Sequence, residues 1–332
     1  MAKKLFNCIS AKQFDRELLL ELFVLADKIR VICKTKKGAD FLGNLLSHKR
    51  ATLFFEQPST RTFLSFNNAC QILGIKTSDI RNITDLSVSK GESIEDTLKT
   101  IHSYSDLLII RHRNESIASN ISDIFQNSDK PIPVINAGSG SDEHPTQALL
   151  DVYTIYRAFN GKIKGKCIAL IGDLKRSRTI RSLIYTLTNF EISKYILISP
   201  DELKAPDDLI KYFNYNCITY LESNKLNDIS EADIIYSTRI QDEYDVNNES
   251  KFIDYTKYYI NKENINLIGK NSIILHPLPR RHELSTDIDS DPRAWYWKQE
   301  VNGLWIRTAL LAYIFDVVKS ISKYYKNKAS KR

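Results

Sequence analysis

Four consecutive residues, Ser59-Thr60-Arg61-Thr62, put three hydroxyls and a guanidinium where the apolar run ending in Phe54-Phe55 gives way to a helix-period stretch. Phe63, Phe66, Cys70 and Leu73 share one stripe of that stretch, and Gly74 suits its left-handed cap. The start of a helix leaves backbone N–H groups unpaired and carries the positive end of the helix dipole. With the hydroxyls and the arginine fork added, the segment is a cradle for a phosphate. Capping alone would account for Ser and Thr at this place; the arginine between the hydroxyls points to an anion.

Other polar residues stand at similar junctions. Lys90-Gly91-Glu92 precedes a helix, Arg111 ends the predicted strand Asp106–Ile110, and His144-Pro145-Thr146-Gln147 opens a helix. Further on, Gly172-Asp173-Leu174-Lys175-Arg176-Ser177-Arg178 follows a strand and leads into a helix, while Thr238-Arg239-Ile240-Gln241 leaves another strand. His276-Pro277-Leu278-Pro279-Arg280 follows a third. Ligands of open α/β sheets bind beyond the carboxyl ends of the strands, where these residues fall. A guanidinium grips a carboxylate through two parallel hydrogen bonds, a geometry that Arg239 could offer from its strand end. Singly, each has a plainer role: Lys90 solvated, Arg111 or Arg239 in an ion pair, Arg178 as surface charge, His144 as a cap, Gln147 as an ordinary helix former.

Several other chemistries fail on spacing. The lone Gly172 lacks the glycine pattern of a dinucleotide site. Asp287, Asp289 and Asp291 alternate like a calcium loop, but Pro292 and Lys298 stand where glycine and glutamate are required, so a solvated acidic turn is expected. Cys8, Cys33, Cys70, Cys167 and Cys217 are scattered, with no C-x-x-C pair, which suits free thiols in a reducing, cytoplasmic setting and no metal. The net charge of +7 is spread along the chain except from Lys319 to Arg332, where a solvated helix end and frayed terminus are expected, not a nucleic-acid module. No long uncharged apolar run predicts a membrane span.

Positioning these residues takes a particular architecture. Short β-rich runs alternate with helix-period stretches, the pattern of βαβ units around mostly parallel sheets. Candidate strands are Ala51–Phe55, Asp106–Ile110 and Pro133–Asn136, then Lys166–Gly172, Tyr195–Ser199, Cys217–Tyr220, Asp233–Ser237 and Ser272–His276. At 332 residues the chain exceeds what one core serves, so the expectation is α/β: two doubly wound domains, each with a mostly parallel sheet, joined by interdomain helices. The boundaries fall at 1–145 plus 296–332 and at 146–295. Helices are expected over Pro145–Tyr156 and Leu304–Val318, the last one packing on the first domain.

Ser59-Thr60-Arg61-Thr62 resembles the carbamoyl phosphate signature of the aspartate and ornithine carbamoyltransferases, and the segments above follow in that family's order through nearly the whole chain. The resemblance implies transfer of a carbamoyl group from carbamoyl phosphate to an amine, with no metal or organic cofactor. It implies that Ser59, Thr60, Arg61, Thr62, Lys90, Arg111, His144 and Gln147 bind carbamoyl phosphate, with Thr62, Arg111 and His144 donating to the developing oxyanion. Leu278 and Pro279 would offer carbonyls to the amine and carbamoyl N–H groups. Lys90, Arg178, Arg239, Gln241 and Leu278 would hold aspartate, with domain closure bringing Arg178 and Arg239 toward the cradle. Pro277 favours L-aspartate over ornithine, because the ornithine branch carries a cysteine there, and Arg280 would repel an ammonium. Lys90 resembles the family lysine that reaches a neighbour's phosphate, which implies a homotrimer with shared sites; regulatory chains stay open. The chain departs from the family pattern in Glu56-Gln57-Pro58-Ser59, one residue longer than usual and more like the ornithine branch, at Phe63 and Asn67, which replace an arginine and a glutamate, and at Asp85-Leu86-Ser87, where Thr-Ser-Ser is common.

Overall fold

The computed structural model describes residues 5–81, 91–140, 143–242, 245 and 253–329. The chain divides into two compact units, Met1–Leu150 with Val301–Arg332, and Asp151–Glu300.

Unit 1 opens with α1 (Arg16–Ile32) and α2 (Lys36–Leu45), then alternates β1 (Arg50–Phe55), α3 (Thr60–Ile72), β2 (Lys76–Ile80), α4 (Ile94–Tyr104), β3 (Leu107–Arg111), α5 (Ile117–Gln126) and β4 (Val134–Asn136). Its four strands lie in the order β2-β1-β3-β4, every pairing parallel. Parallel sheets are covered on both faces, so central strands become continuous apolar runs. All five residues of β3 are buried, as are five of six in β1. Phe54, Leu108, Ile110 and Val134 meet Leu98, Ile101, Ile121 and Phe125 from α4 and α5 in one cluster.

α6 (Pro145–Ala158) carries the chain across the boundary between the units, and α9 (Tyr296–Ile314) carries it back. Unit 2 holds β5 (Cys167–Ile171), α7 (Arg178–Leu187), β6 (Lys194–Ile198), α8 (Asp207–Tyr215), β7 (Tyr220–Ser223), β8 (Ile234–Ser237) and β9 (Ile273–Leu275). Its order is β7-β6-β5-β8-β9, again all parallel. Ile196, Ile198, Ile235, Ile274, Leu284 and Tyr296 anchor its core.

The last helix differs from the expectation. The apolar stretch starts earlier, at Tyr296, and stops at Ile314; Asp316 then takes a left-handed backbone (φ 56°) before α10 (Val318–Ala329). The basic segment thus forms a docked helix: Tyr324 stacks on Phe41 at 4.0 Å and Lys28 donates to Ser322 at 3.0 Å. Among the described residues no helix is long and apolar enough to cross a membrane.

Candidate functional site

Each sheet has one place where strand order reverses, and the two places collect most of the polar residues singled out above. In unit 1 the chain leaves β1 toward β2 on one side and β3 toward β4 on the other, so the crevice opens at the carboxyl ends of β1 and β3. Phe55 and Arg111 are register partners there. Ser59 stands at the N-cap of α3 with no side-chain cap hydrogen bond, so its hydroxyl is not committed to the helix. Thr62 is buried, Ser59 and Arg61 are half-buried, and Thr60 is exposed. Glu56 ties the two strand ends together: its carboxylate accepts from the Arg113 backbone N–H and from Arg113 Nε, both at 2.8 Å. Gln57 adds to the tie by donating its backbone N–H to the Arg111 carbonyl at 3.3 Å.

Arg111 is 9% exposed and donates from Nη1 to the Ala137 carbonyl at 3.2 Å. Asn136, the last residue of β4, accepts the N–H groups of Gly138 and Ser139 at 2.9 and 2.8 Å and so folds the loop back over the strand ends. Gly138 has φ 98°, and a Cβ built there would lie 2.8 Å from Arg111 Nη1 and 2.7 Å from His144 Cδ2. Arg111 and His144 therefore flank one backbone position that only glycine can occupy without displacing them. The His144 carbonyl accepts from Gln147 and Ala148 and starts α6, which sets Gln147 one turn along. Glu143, beside it, is 8% exposed and accepts from Ser10 Oγ at 2.7 Å and the Ala11 N–H at 2.6 Å. Lys90 lies outside the described residues, as do Asp85, Leu86 and Ser87. Phe63 meets the ring of Phe55 edge-on and lies under the Arg81 guanidinium at 4.0 Å.

In unit 2 the reversal falls between β5 and β8. The segment after β5 ends at Arg178, the first residue of α7, and Arg239 lies two residues past β8; both side chains are half-buried. One buried carboxylate joins the segments. Asp173 is 0% exposed and accepts the backbone N–H of Arg176 and of Gln241, each at 3.0 Å. Burial raises its pKa above the ordinary carboxylate value, although those hydrogen bonds and Arg176 oppose the shift. Arg176 continues the network to Asp245 at 2.9 Å. Gly172 (φ 114°) lets the second segment cross close by, since a Cβ there would stand 2.2 Å from the Thr238 carbonyl oxygen. The Arg239 guanidinium donates to the Ile240 carbonyl at 2.7 Å.

Leu278 and Pro279 follow β9, the neighbour of β8. Leu278 has a left-handed backbone (φ 52°), the Leu278–Pro279 peptide is cis, and the Leu278 N–H donates to His276 Nδ1 at 2.8 Å. Since Nδ1 accepts, Nε2 carries the proton it donates to Glu283 at 2.9 Å. His276 is held in turn through a fully buried chain: its backbone N–H donates to Gln299 at 3.0 Å, Gln299 donates to Asp151 at 2.6 Å, and Tyr236 donates to the other Asp151 oxygen at 2.7 Å. Sequence reasoning missed Asp173, Asp151, Gln299, Asn136 and Glu143. The readable signal for Asp151 is an acid inside the apolar run Leu149-Leu150-Asp151-Val152-Tyr153.

Two expectations change. Arg280 is bound to Asp289 and packs on the Tyr296 ring at 5.3 Å, so its charge is largely compensated and offers little repulsion to a cationic substrate. Asp289 and Asp291 are accordingly ion-paired, the latter with Arg293 at 2.8 Å, and do not form a merely solvated turn. Among the described residues no group of three or more His, Cys, Asp or Glu side chains could hold a metal ion.

Residues 7–157 match the carbamoyl-P binding domain of aspartate/ornithine carbamoyltransferase, and residues 164–314 match the Asp/Orn binding domain of the same family. The chain belongs to the aspartate/ornithine carbamoyltransferase family. Within that family it is 41% identical over 315 residues to the chloroplastic aspartate carbamoyltransferase of Arabidopsis thaliana, covering 93% of this chain and 77% of that one. It is 43% identical over 313 residues to the aspartate carbamoyltransferase catalytic subunit of Clostridium novyi, covering 94% and 98%. Solved carbamoyltransferase structures share its fold. The catalytic subunit of M. jannaschii aspartate transcarbamoylase aligns with TM-score 0.82 at 38% identity, covering 94% and 98%. Aspartate transcarbamoylase from Trypanosoma cruzi in complex with N-(phosphonacetyl)-L-aspartic acid aligns with TM-score 0.84 at 34% identity, covering 93% and 95%.

Proposed function

We propose that this chain is the catalytic polypeptide of an aspartate carbamoyltransferase, forming N-carbamoyl-L-aspartate and phosphate in pyrimidine biosynthesis. The observation that carries the choice of acceptor is the pair of segments after β5 and β8, each bearing an arginine and both tied to Asp173. Two guanidinium forks suit the two carboxylates of aspartate, and Arg178 adds the N-terminus of α7 as a further anion-favouring group. Pro277 supports the same choice, because it cannot supply the thiol of the ornithine branch. Relatives named aspartate carbamoyltransferase at about 40% identity support it too.

In this reading the N-terminus of α3 with Ser59, Thr60, Arg61 and Thr62 takes the phosphate, joined by Arg111 and Lys90. Transfer needs positioning and charge stabilisation rather than a protein nucleophile. The neutral amine attacks the carbonyl carbon, a C–N bond forms, and the C–O bond to phosphate breaks; the amine proton leaves with the phosphate. Thr62, Arg111 and His144 stabilise the oxyanion, Gln147 and the Leu278 and Pro279 carbonyls orient the carbamoyl group, and Arg178, Arg239, Gln241 and Lys90 hold aspartate. Unit 1 takes carbamoyl phosphate and unit 2 takes aspartate. The same reading carries a cytoplasmic homotrimer, with Lys90 reaching a neighbour's phosphate.

The test is phosphate release by the purified chain with carbamoyl phosphate and a panel of amines. Release with L-aspartate, with carbamoyl aspartate as product, is expected; release with ornithine and none with aspartate overturns the choice of acceptor. An active monomer in light scattering overturns the shared site.

A further inference from the structure

Unit 2 contains a cavity of about 120 Å³ at the carboxyl ends of β5 and β8, walled by Ile171, Ile240 and the three tyrosines Tyr255, Tyr258 and Tyr259, with Ser237 also in its lining. A cavity near 150 Å³ with an apolar lining holds one benzene ring, so this volume suits a single small ring and excludes fused systems.

The polar groups of the wall are largely committed elsewhere. Thr238 Oγ1 donates to the Ile171 carbonyl at 3.2 Å. The Glu283 carboxylate accepts from His276 and from the Arg281 N–H, each at 2.9 Å, and the Arg281 guanidinium is bound to Asp242. The wall therefore presents little uncompensated charge. Burial raises the pKa of the Tyr258 and Tyr259 hydroxyls, which stay neutral. Two hydroxyls differ: Ser237 is 0% exposed, and among the described residues neither its Oγ nor the buried Tyr258 hydroxyl has a hydrogen-bond partner. A buried hydroxyl left unsatisfied costs stability that an occupant able to bond with it would recover.

We propose that this cavity is a binding site for a neutral single-ring aromatic molecule carrying one hydroxyl-type group, with the ring among the tyrosines and the polar group on Ser237 Oγ. Tyrosine faces and edges favour offset or edge-on contact with another ring, which aliphatic molecules of equal volume cannot match. The occupant touches Thr238 and Ile240, the residues on either side of Arg239, so it sits against the segment that carries that arginine.

The probe is phenol, with toluene as its nonpolar match, titrated into the full chain and followed by ligand-observed NMR. Wild type is expected to bind phenol saturably, with intermolecular NOEs from its ring protons to the Ile171 and Ile240 methyl groups. Ser237→Ala is expected to weaken phenol roughly fivefold and leave toluene unchanged, the effect of one hydrogen bond. Absence of saturable phenol binding, NOEs confined to other methyl groups, or equal loss of both probes in Ser237→Ala overturns the proposal. The wild-type NOEs decide the matter alone where the variant fails to fold. None of these readouts requires carbamoyl transfer.

Discussion

At the edge of the first sheet Arg111 is itself the last residue of its strand, buried and fixed by Ala137 and the turn around Gly138. At the edge of the second, Arg178 and Arg239 stand beyond the strands, on segments whose course depends on the carboxylate of Asp173. Strand ends and helix starts are the most rigid parts of an α/β sheet, and segments beyond them are adjustable. Under the proposed function the contrast teaches where each kind of recognition is built: donors for a phosphate into the frame, donors for the acceptor into segments pinned to it.

The largest expected effect tests the rigid side. In the proposed mechanism His144→Ala removes an oxyanion donor and should lower turnover about 10²–10³-fold. The His144 carbonyl still caps α6 in the variant, so thermal unfolding should move little. Steady-state kinetics beside a melting curve check this, and wild-type turnover removes His144 from the mechanism.

The two left-handed glycines test the contrast directly. Gly172→Ala drives a methyl against the Thr238 backbone, which cannot rotate away, while Gly138→Ala drives one against two side chains. Each variant carries about 1–3 kcal/mol of backbone strain. Gly172→Ala should raise the aspartate KM by roughly tenfold to a hundredfold, and Gly138→Ala should depress turnover over a similar range. If both variants act on the same constant, the division of labour between the sheets is wrong.

The smallest effect is a stability difference between two carboxylates of unit 2. Arg280, foremost, holds Asp289 down from 3.8 to about 2, so its stabilisation is present above 3.8 and is lost as pH falls through about 2. Asp173 has the opposite sign: burial raises its folded pKa, so the folded state favours the proton and stability declines as pH rises through that raised value. Asp289→Asn should flatten the acid limb of stability between about pH 4 and 2 by less than about 1 kcal/mol, the range of partly exposed ion pairs. Denaturant titrations at pH 5 and 2 measure it; an unchanged acid limb removes Asp289 as a source.

Central strands were legible because burial on both faces writes a continuous apolar run. The run Ile168-Ala169-Leu170-Ile171 announces β5, and Leu107-Leu108-Ile109-Ile110 announces β3. The edges were not. Lys76–Ile80 reads Lys-Thr-Ser-Asp-Ile, exposed or half-exposed throughout, and went unpredicted; the other edge, expected at Cys217–Tyr220, pairs at Tyr220–Ser223. An edge strand is held by hydrogen bonds from one neighbour and needs no apolar pattern of its own. At the site, residues of distinctive chemistry were visible because arginines, histidine and hydroxyls cluster at element boundaries. Of the residues that hold them, Asp173, Asp151 and Gln299 bond to partners 68 to 148 positions away, and local spacing carries no trace of that.

The split composition of unit 1 bears on how the chain is made. Residues 151–300 emerge from the ribosome as a complete set, whereas α1 waits for α10, whose Ser322 and Lys328 bond to Lys28 and Val31 near the other end of the sequence. Domains fold as units once their residues are available. The interior unit can therefore finish first, leaving the apolar stripe of α1, with Leu18, Leu22, Leu25 and Ile29, to await its last helices during synthesis.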